Sequence, residues 1–195
     1  MTNLIIARNC GLSIPNCIIG DNNSLTAQIL DEKFNFITKA FRNGFYSIEA
    51  GLILLGLTKK INKKDLLNEF NYSFLQKQIF KKFDVRIFYI NKIIYASAIF
   101  SQSDKQTKVD FRNYNKTIPN RVTRIKLPIN IEKKIIKFMN IVGMKSGSID
   151  LIYSTENKFY FLEVNPVGQF KQVSFPCNYS LEKVIAKTIY DEKLY

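Results

Sequence analysis

The stretch KFYFLEVNPVGQF, from Lys158 to Phe170, decides the reading of this chain. Its first half alternates aromatic and aliphatic side chains as a buried strand does. Glu163 and Asn165 then fall where the pattern asks for apolar residues, and Pro166 stops the run. Ser148 to Tyr153 is the natural antiparallel partner, joined through a short polar turn about Glu156-Asn157. That register sets Asp150 opposite Glu163, with Asn165 on the same face. Two carboxylates roughly 5 Å apart repel unless a cation or a shared proton lies between them. The alternative is a half-exposed sheet on which either acid faces solvent.

Working outward, the 195 residues contain 29 Lys and Arg against 16 Asp and Glu, a net charge of +13, and no His. Cys10, Cys17 and Cys177 are odd in number and show no CxxC spacing, so neither a disulfide framework nor a thiolate or imidazole zinc site is indicated. Any metal is therefore a hard one held by oxygens, with magnesium the natural candidate. No apolar run is long enough to span a bilayer, and the N-terminus lacks the parts of a secretory signal. The expectation is a cytoplasmic protein with no membrane partner. The positive charge points to an anionic partner, although lysine pairs spread along the chain also read as an ordinary solvated surface.

Helices and strands are mixed. Leu4 to Cys10 reads as a helix stopped at Gly11, Cys17 to Gly20 and Phe34 to Phe41 as strands, and Ser24 as the cap of a helix running to Leu30. The segment from Arg42 to Ile61 carries three glycines and is open between a loop and short strands. Asn62 or Lys63 to Asn68 reads as a helical turn. Asp84 to Ile90 and Ile93 to Phe100 flank Asn91-Lys92 as a hairpin. Asn130 to Val142 and Leu181 to Tyr190 have the spacing of amphipathic helices. The class is α+β with largely antiparallel strands.

SIDLI followed by FLEVNP resembles the metal-binding end of an ATP-grasp ligase. LIIARNCGLSIP resembles the helix and strand that open that region, FITKAF the strand whose lysine reaches the phosphates, and FLQKQIFKKFDVRIFYI the adenine hinge with its following strand. KVDFRNYN resembles the segment whose arginine faces the reacting phosphate. The stretches AIFSQSD, NKTIPNR and PCNYSLEK bring the likeness closest to the grasp-with-spasm, or microviridin-type, peptide maturases. These join side chains within a ribosomally made precursor peptide.

The resemblance implies an α+β ATP-grasp fold whose two lobes, residues 1–79 and 80–195, grip ATP between antiparallel sheets. It implies two magnesium ions, replaceable by manganese, on Asp150, Glu163 and Asn165, and ATP bound by Lys39, Gln76, Lys77, Gln78, Ile79, Asp84 and Arg112. Arg112 and Arg86 are the catalytic cations, with Asp84 free to bond a ribose hydroxyl or to orient Arg86. Arg121 and Arg124 are left for the peptide's acidic side chain, and Gly168 and Gln169 turn the chain past the metals. No general base is indicated. The expected partner is an acidic precursor peptide, with a homodimer left open. The family has a further domain ahead of the ATP-grasp region, and this chain starts at the equivalent of its end. It is thus expected to be a fragment, or to receive that N-terminal domain from elsewhere.

Two other classes remain. Another ATP-dependent carboxylate–amine ligase, such as a protein glutamate ligase, would share every metal and nucleotide residue. A non-catalytic basic protein binding RNA or an acidic peptide would need none of them. Nucleic acid is disfavoured because aromatic-plus-basic RNA-binding motifs and arginine-rich stretches are missing from the sequence.

Overall fold

The computed structural model of the chain describes residues 1–21, 25, 35–40, 45–48, 52–61, 72–115 and 117–192. The expected helix from Ser24 to Leu30, apart from Leu25, and the expected helical turn ending at Asn68 lie outside them. The chain divides into two compact units. One contains Pro15–Phe80 and Ser103–Pro119, the other Met1–Ile14, Lys81–Gln102 and Asn120–Tyr195. Both are discontinuous in sequence, whereas the lobes expected at 1–79 and 80–195 are continuous. Residues 1–14 pack with the later part of the chain, and 103–119 with the earlier.

In the first of these units, strands β1 (Cys17–Gly20), β2 (Phe36–Thr38), β5 (Lys59–Lys60) and β6 (Ser73–Lys77) form an antiparallel sheet in the order β1-β6-β2-β5. Leu25, Phe36 and Leu75 are buried together beneath it, with Ile18 and Ile61 packed against them. Of the described residues in the glycine-bearing segment, β3 (Phe45–Ile48) and β4 (Leu52–Leu55) pair as antiparallel strands, and Lys59–Lys60 is the β5 of the sheet above.

The second unit is built on a five-stranded antiparallel sheet of β7 (Lys81–Ile90), β8 (Ile93–Phe100), β9 (Arg121–Ile125), β10 (Ser146–Ser154) and β11 (Phe159–Asn165), in the order β11-β10-β7-β8-β9. Asn91 and Lys92 turn the β7–β8 hairpin with φ of 44° and 68°. Positive φ at both central residues is what a tight turn needs to match the twist of the strands. Helix α1 (Thr2–Asn9) and helix α2 (Ile129–Ile141) cover one face, where the Phe138 and Phe161 rings lie 4.9 Å apart. Past α1 the chain continues as a short edge partner, and Ser13 O accepts the Phe161 N–H at 2.8 Å. Helices α3 (Lys171–Cys177) and α4 (Leu181–Glu192) cover part of the opposite face, burying Val173 and Leu181 against Phe88 and Ile90. Among the described residues no helix is long and apolar enough to cross a membrane.

The β10–β11 hairpin answers the puzzle of its own sequence. The turn holds three residues, Thr155 to Asn157, closed by Ser154 N–H to Lys158 O at 2.9 Å, with Asn157 at φ 61°. From it, Leu151 pairs with Phe161. The register then slips between Leu151 and Asp150, so that Asp150 pairs with Glu163 and Leu162 is left as a bulge. Strict alternation would put Phe161 and Glu163 on one face. The extra residue separates them, with Phe161 in the helix-covered core and Glu163 on the other side.

Candidate functional site

Beyond the part of the sheet covered by α3 and α4, one row of side chains runs across all five strands. Glu163 pairs with Asp150, Asp150 with Arg86, Arg86 with Ser97, and Ser97 with Arg124. Asp150 and Arg86 are 8% and 4% exposed, and Glu163 is exposed. Arg86 Nη1 donates to both Asp150 oxygens at 2.6 Å, while Nη2 reaches Gln169 Oε1 at 3.5 Å. Arg86 Nε and Ser148 Oγ are buried with no hydrogen-bond partner. Burial pushes the Asp150 carboxyl above its ordinary range; Arg86 pulls it back, and Glu163 adds to the rise. Asn165, two residues past Glu163, pairs with Ser148, and its Oδ1 accepts the Val167 N–H at 3.0 Å.

Among the described residues no group of three or more His, Cys, Asp and Glu side chains is placed to hold a metal. The candidate set is two carboxylates and an amide oxygen. Such hard oxygens suit magnesium, which keeps much of its shell for water and phosphate oxygens. The buried Asp150 carboxyl beside Glu163 also calls for positive charge, so the residues fit the ion. Arg86 supplies that charge in this structure.

Asp84 is engaged elsewhere than the sequence suggests. Lys81 Nζ donates to its two oxygens at 2.6 and 2.8 Å, and Ser101 Oγ to one of them at 2.6 Å, all three residues being buried. Its ion partner is thus Lys81, and Arg86 is paired with Asp150 instead. A ribose hydroxyl would have to share Asp84 with these donors. Arg124, left by the sequence for peptide binding, donates from Nε and Nη2 to the carbonyls of Cys177 and Asn178 and lies 4.5 Å from the centre of the Tyr179 ring. It fastens the end of α3 to the sheet. Arg121 stacks over Phe100 at 4.2 Å.

The remaining candidates belong to the unit containing β1, β2, β5 and β6. Lys39 follows Thr38 at the end of β2, with Nζ 5.7 Å from the Phe74 ring centre. Gln76 and Lys77 end β6, and Gln78 and Ile79 lead out of it. Gln76 is buried. The backbone N–H groups of Lys77 and Gln78 donate to Asn16 O and Asn35 O, each at 2.8 Å. Those two donors are therefore already used, whereas Gln78 Oε1 is buried without a hydrogen-bond partner.

Arg112 is held by a residue that sequence reasoning passed over. Asp110, 7% exposed, accepts Arg112 Nε at 3.0 Å and Nη2 at 2.7 Å, together with the backbone N–H groups of Arg112 and of Thr58. Burial alone would raise the Asp110 carboxyl, but the Arg112 guanidinium and the two N–H groups outweigh it and lower it to about 2. An acid two residues before an arginine, as in KVDFR, is a signal that could have found it.

Neither a family model nor a curated protein matches the chain. Solved structures do. A RiPP-associated ATP-grasp ligase from Chryseobacterium gregarium, in complex with ADP and a leader and core peptide, is 25% identical with a TM-score of 0.75, over 87% of this chain and 52% of that one. Macrocyclase MdnC from Microcystis aeruginosa MRC, bound with precursor peptide MdnA, is 25% identical with a TM-score of 0.79, over 97% of this chain and 58% of that one. Macrocyclase MdnB from the same source is 19% identical with a TM-score of 0.69, over 96% and 57%. The fold is that of the ATP-grasp ligases. The chain spans a little over half the length of these three proteins, at 52%, 58% and 57%.

Proposed function

We propose that this chain, an ATP-grasp fold similar to those of peptide-modifying ligases, is an ATP-dependent peptide maturase. It activates an Asp or Glu side chain of a precursor peptide and joins it to a Ser or Thr hydroxyl or a Lys amine. The observation that carries this reading is Asp150 facing Glu163 with Arg86 on the next strand, on a fold similar to a ligase solved with ADP and a leader and core peptide.

The peptide carboxylate attacks the γ-phosphorus of ATP, ADP leaves, and the hydroxyl or amine then displaces phosphate from the acyl phosphate. Both steps gather negative charge, so positioned cations are what the chemistry needs. Asp150, Glu163 and Asn165 would hold two magnesium ions, or manganese in their place, which neutralise phosphate oxygens. Arg112 suits the reacting phosphate because its planar fork can grip two oxygens, and Asp110 aims that fork from behind. Lys39 is assigned to the α- or β-phosphate, and residues Gln76 to Ile79 to adenine, where Gln78 Oε1 would find in the amino group the donor it lacks. An acidic peptide suits the +13 charge, and its affinity falls with salt.

The test is incubation of an acidic precursor peptide with ATP and Mg2+, using the chain alone and with a separately supplied N-terminal domain. Release of ADP and phosphate with loss of one water per crosslink supports the reading. A gain in mass would reassign the chain to amino-acid addition. Bound peptide of unchanged mass in both arms, with ATP bound, would leave only a binding protein.

A further inference from the structure

We propose that Arg86 is a resident countercharge that a metal ion must displace from Asp150, so that this arginine sets the affinity of the metal site. The inference rests on the reading of Asp150 and Glu163 as metal ligands. The Asp150 oxygens that accept from Arg86 Nη1, both at 2.6 Å, are the atoms a metal would take. The grip is one-cornered. A side-on arginine gives each carboxylate oxygen its own nitrogen, whereas here a single nitrogen serves both. The other corners are weakly engaged: Nε is buried with no partner, and Nη2 lies 3.5 Å from Gln169 Oε1.

That amide oxygen offers the guanidinium a second seat. Gln169 stands four residues past Asn165, just beyond the turn that closes with Gly168 N–H on Asn165 O at 3.2 Å. With a divalent cation on Asp150, like-charge repulsion drives Arg86 off the carboxylate toward Gln169, where Nε also gains room for a partner. Without a metal, Arg86 is the cation that lets a buried carboxylate sit beside Glu163. Removing it would strand a buried charge. One side chain thereby stabilises the metal-free protein and weakens the metal's hold.

Three variants test this: Arg86→Met, Arg86→Lys and Gln169→Ala, with Asp150→Asn as the control for site identity. Mn2+ affinity is measured by titration calorimetry with and without ADP, and melting temperature is followed across a Mg2+ series. Arg86→Met should bind Mn2+ about tenfold more tightly than the parent, melt lower in chelator, and regain more of its melting temperature with Mg2+ than the parent gains. Arg86→Lys should stay within about threefold of the parent because it keeps the charge. Gln169→Ala should bind Mn2+ several-fold more weakly, because the displaced guanidinium loses its seat, and it gives a readout even if Arg86→Met does not fold. Mn2+ binding lost in Asp150→Asn but unchanged or weaker in Arg86→Met would overturn the inference and leave the metal site standing. So would unaltered binding in Gln169→Ala. Parent-like binding in Asp150→Asn would overturn the metal assignment and this inference with it.

Discussion

Asp150 faces Glu163 across the β10–β11 ladder while both of its oxygens accept from one nitrogen of Arg86 on the neighbouring strand. The two acids thus differ in setting although they stand side by side. Asp150 is buried and charge-paired, and Glu163 is exposed. Their amide substitutions should therefore share one effect and differ in another.

Glu163→Gln should abolish ATP turnover at little cost in stability, because it removes one anionic ligand while keeping the side chain's shape at an exposed position. Asp150→Asn should abolish turnover too, but it strands the Arg86 charge and should cost on the order of 3 kcal/mol. ADP release and urea melts read the two effects. Full turnover by Glu163→Gln would sink the site assignment.

Arg112→Lys keeps the charge and loses the fork. A single ammonium cannot replace both bonds to Asp110 and also reach phosphate in the same geometry. Nucleotide affinity should stay within several-fold of the parent, and the single-turnover rate should fall roughly a hundredfold. An unchanged rate with weakened ATP binding would make Arg112 a ground-state contact only.

Asp110 should make the fold sensitive to acid. Its carboxyl is lowered from 3.8 to about 2, so its contribution is present above the unfolded value and lost as pH falls through the folded one. Stability should accordingly drop by roughly 2 kcal/mol between about pH 5 and pH 2 from this group alone. In Asp110→Asn that part of the slope should vanish, together with stability at pH 7. Urea midpoints across the range provide the check, and an unchanged acid slope would remove Asp110 as its source.

Gly168→Ala should destabilise by about 1–2 kcal/mol. Gly168 has φ +56°, and an added Cβ would come 3.1 Å from Phe88 Cε2 and 3.5 Å from Gly147 Cα. The residue sits directly before Gln169, so a shift here also moves that side chain. Thermal melts of the variant decide the point.

The elements that read well from sequence carry their own local pattern. Asn91-Lys92 between two apolar runs gave a hairpin, and the spacing of Ile135 and Phe138 gave α2. Three elements lack such a pattern. β9 has the pattern RVTRI, with too few apolar residues to stand out; its arginines stack on Phe100 and Tyr179. β6 lies in FLQKQIF, a stretch that reads as a hinge. α3 contains Pro176, which argues against a helix, and the tertiary burial of Val173 and Cys177 overrides it. In the candidate site, the facing of Asp150 and Glu163 is legible although a turn about Glu156-Asn157 is one residue shorter than the observed Thr155–Asn157, because the bulge at Leu162 restores the pairing. The bond from Arg86 to Asp150 joins residues 64 apart, and that from Thr58 to Asp110 residues 52 apart. No local spacing announces such pairs.

The bulge also bears on how the hairpin reaches its final state. A ladder zipping outward from the Thr155–Asn157 turn without a slip would put Leu162 opposite Asp150 and swing Glu163 to the side where Phe161 meets Phe138. Burying a lone carboxylate among aromatic rings costs several kcal/mol, so the unslipped alignment is a poor competitor during folding. Glu163 thereby weighs on register as well as on the site: the charge that serves the surface of the finished sheet also disfavours the alignment that would bury it against Phe161 and Phe138.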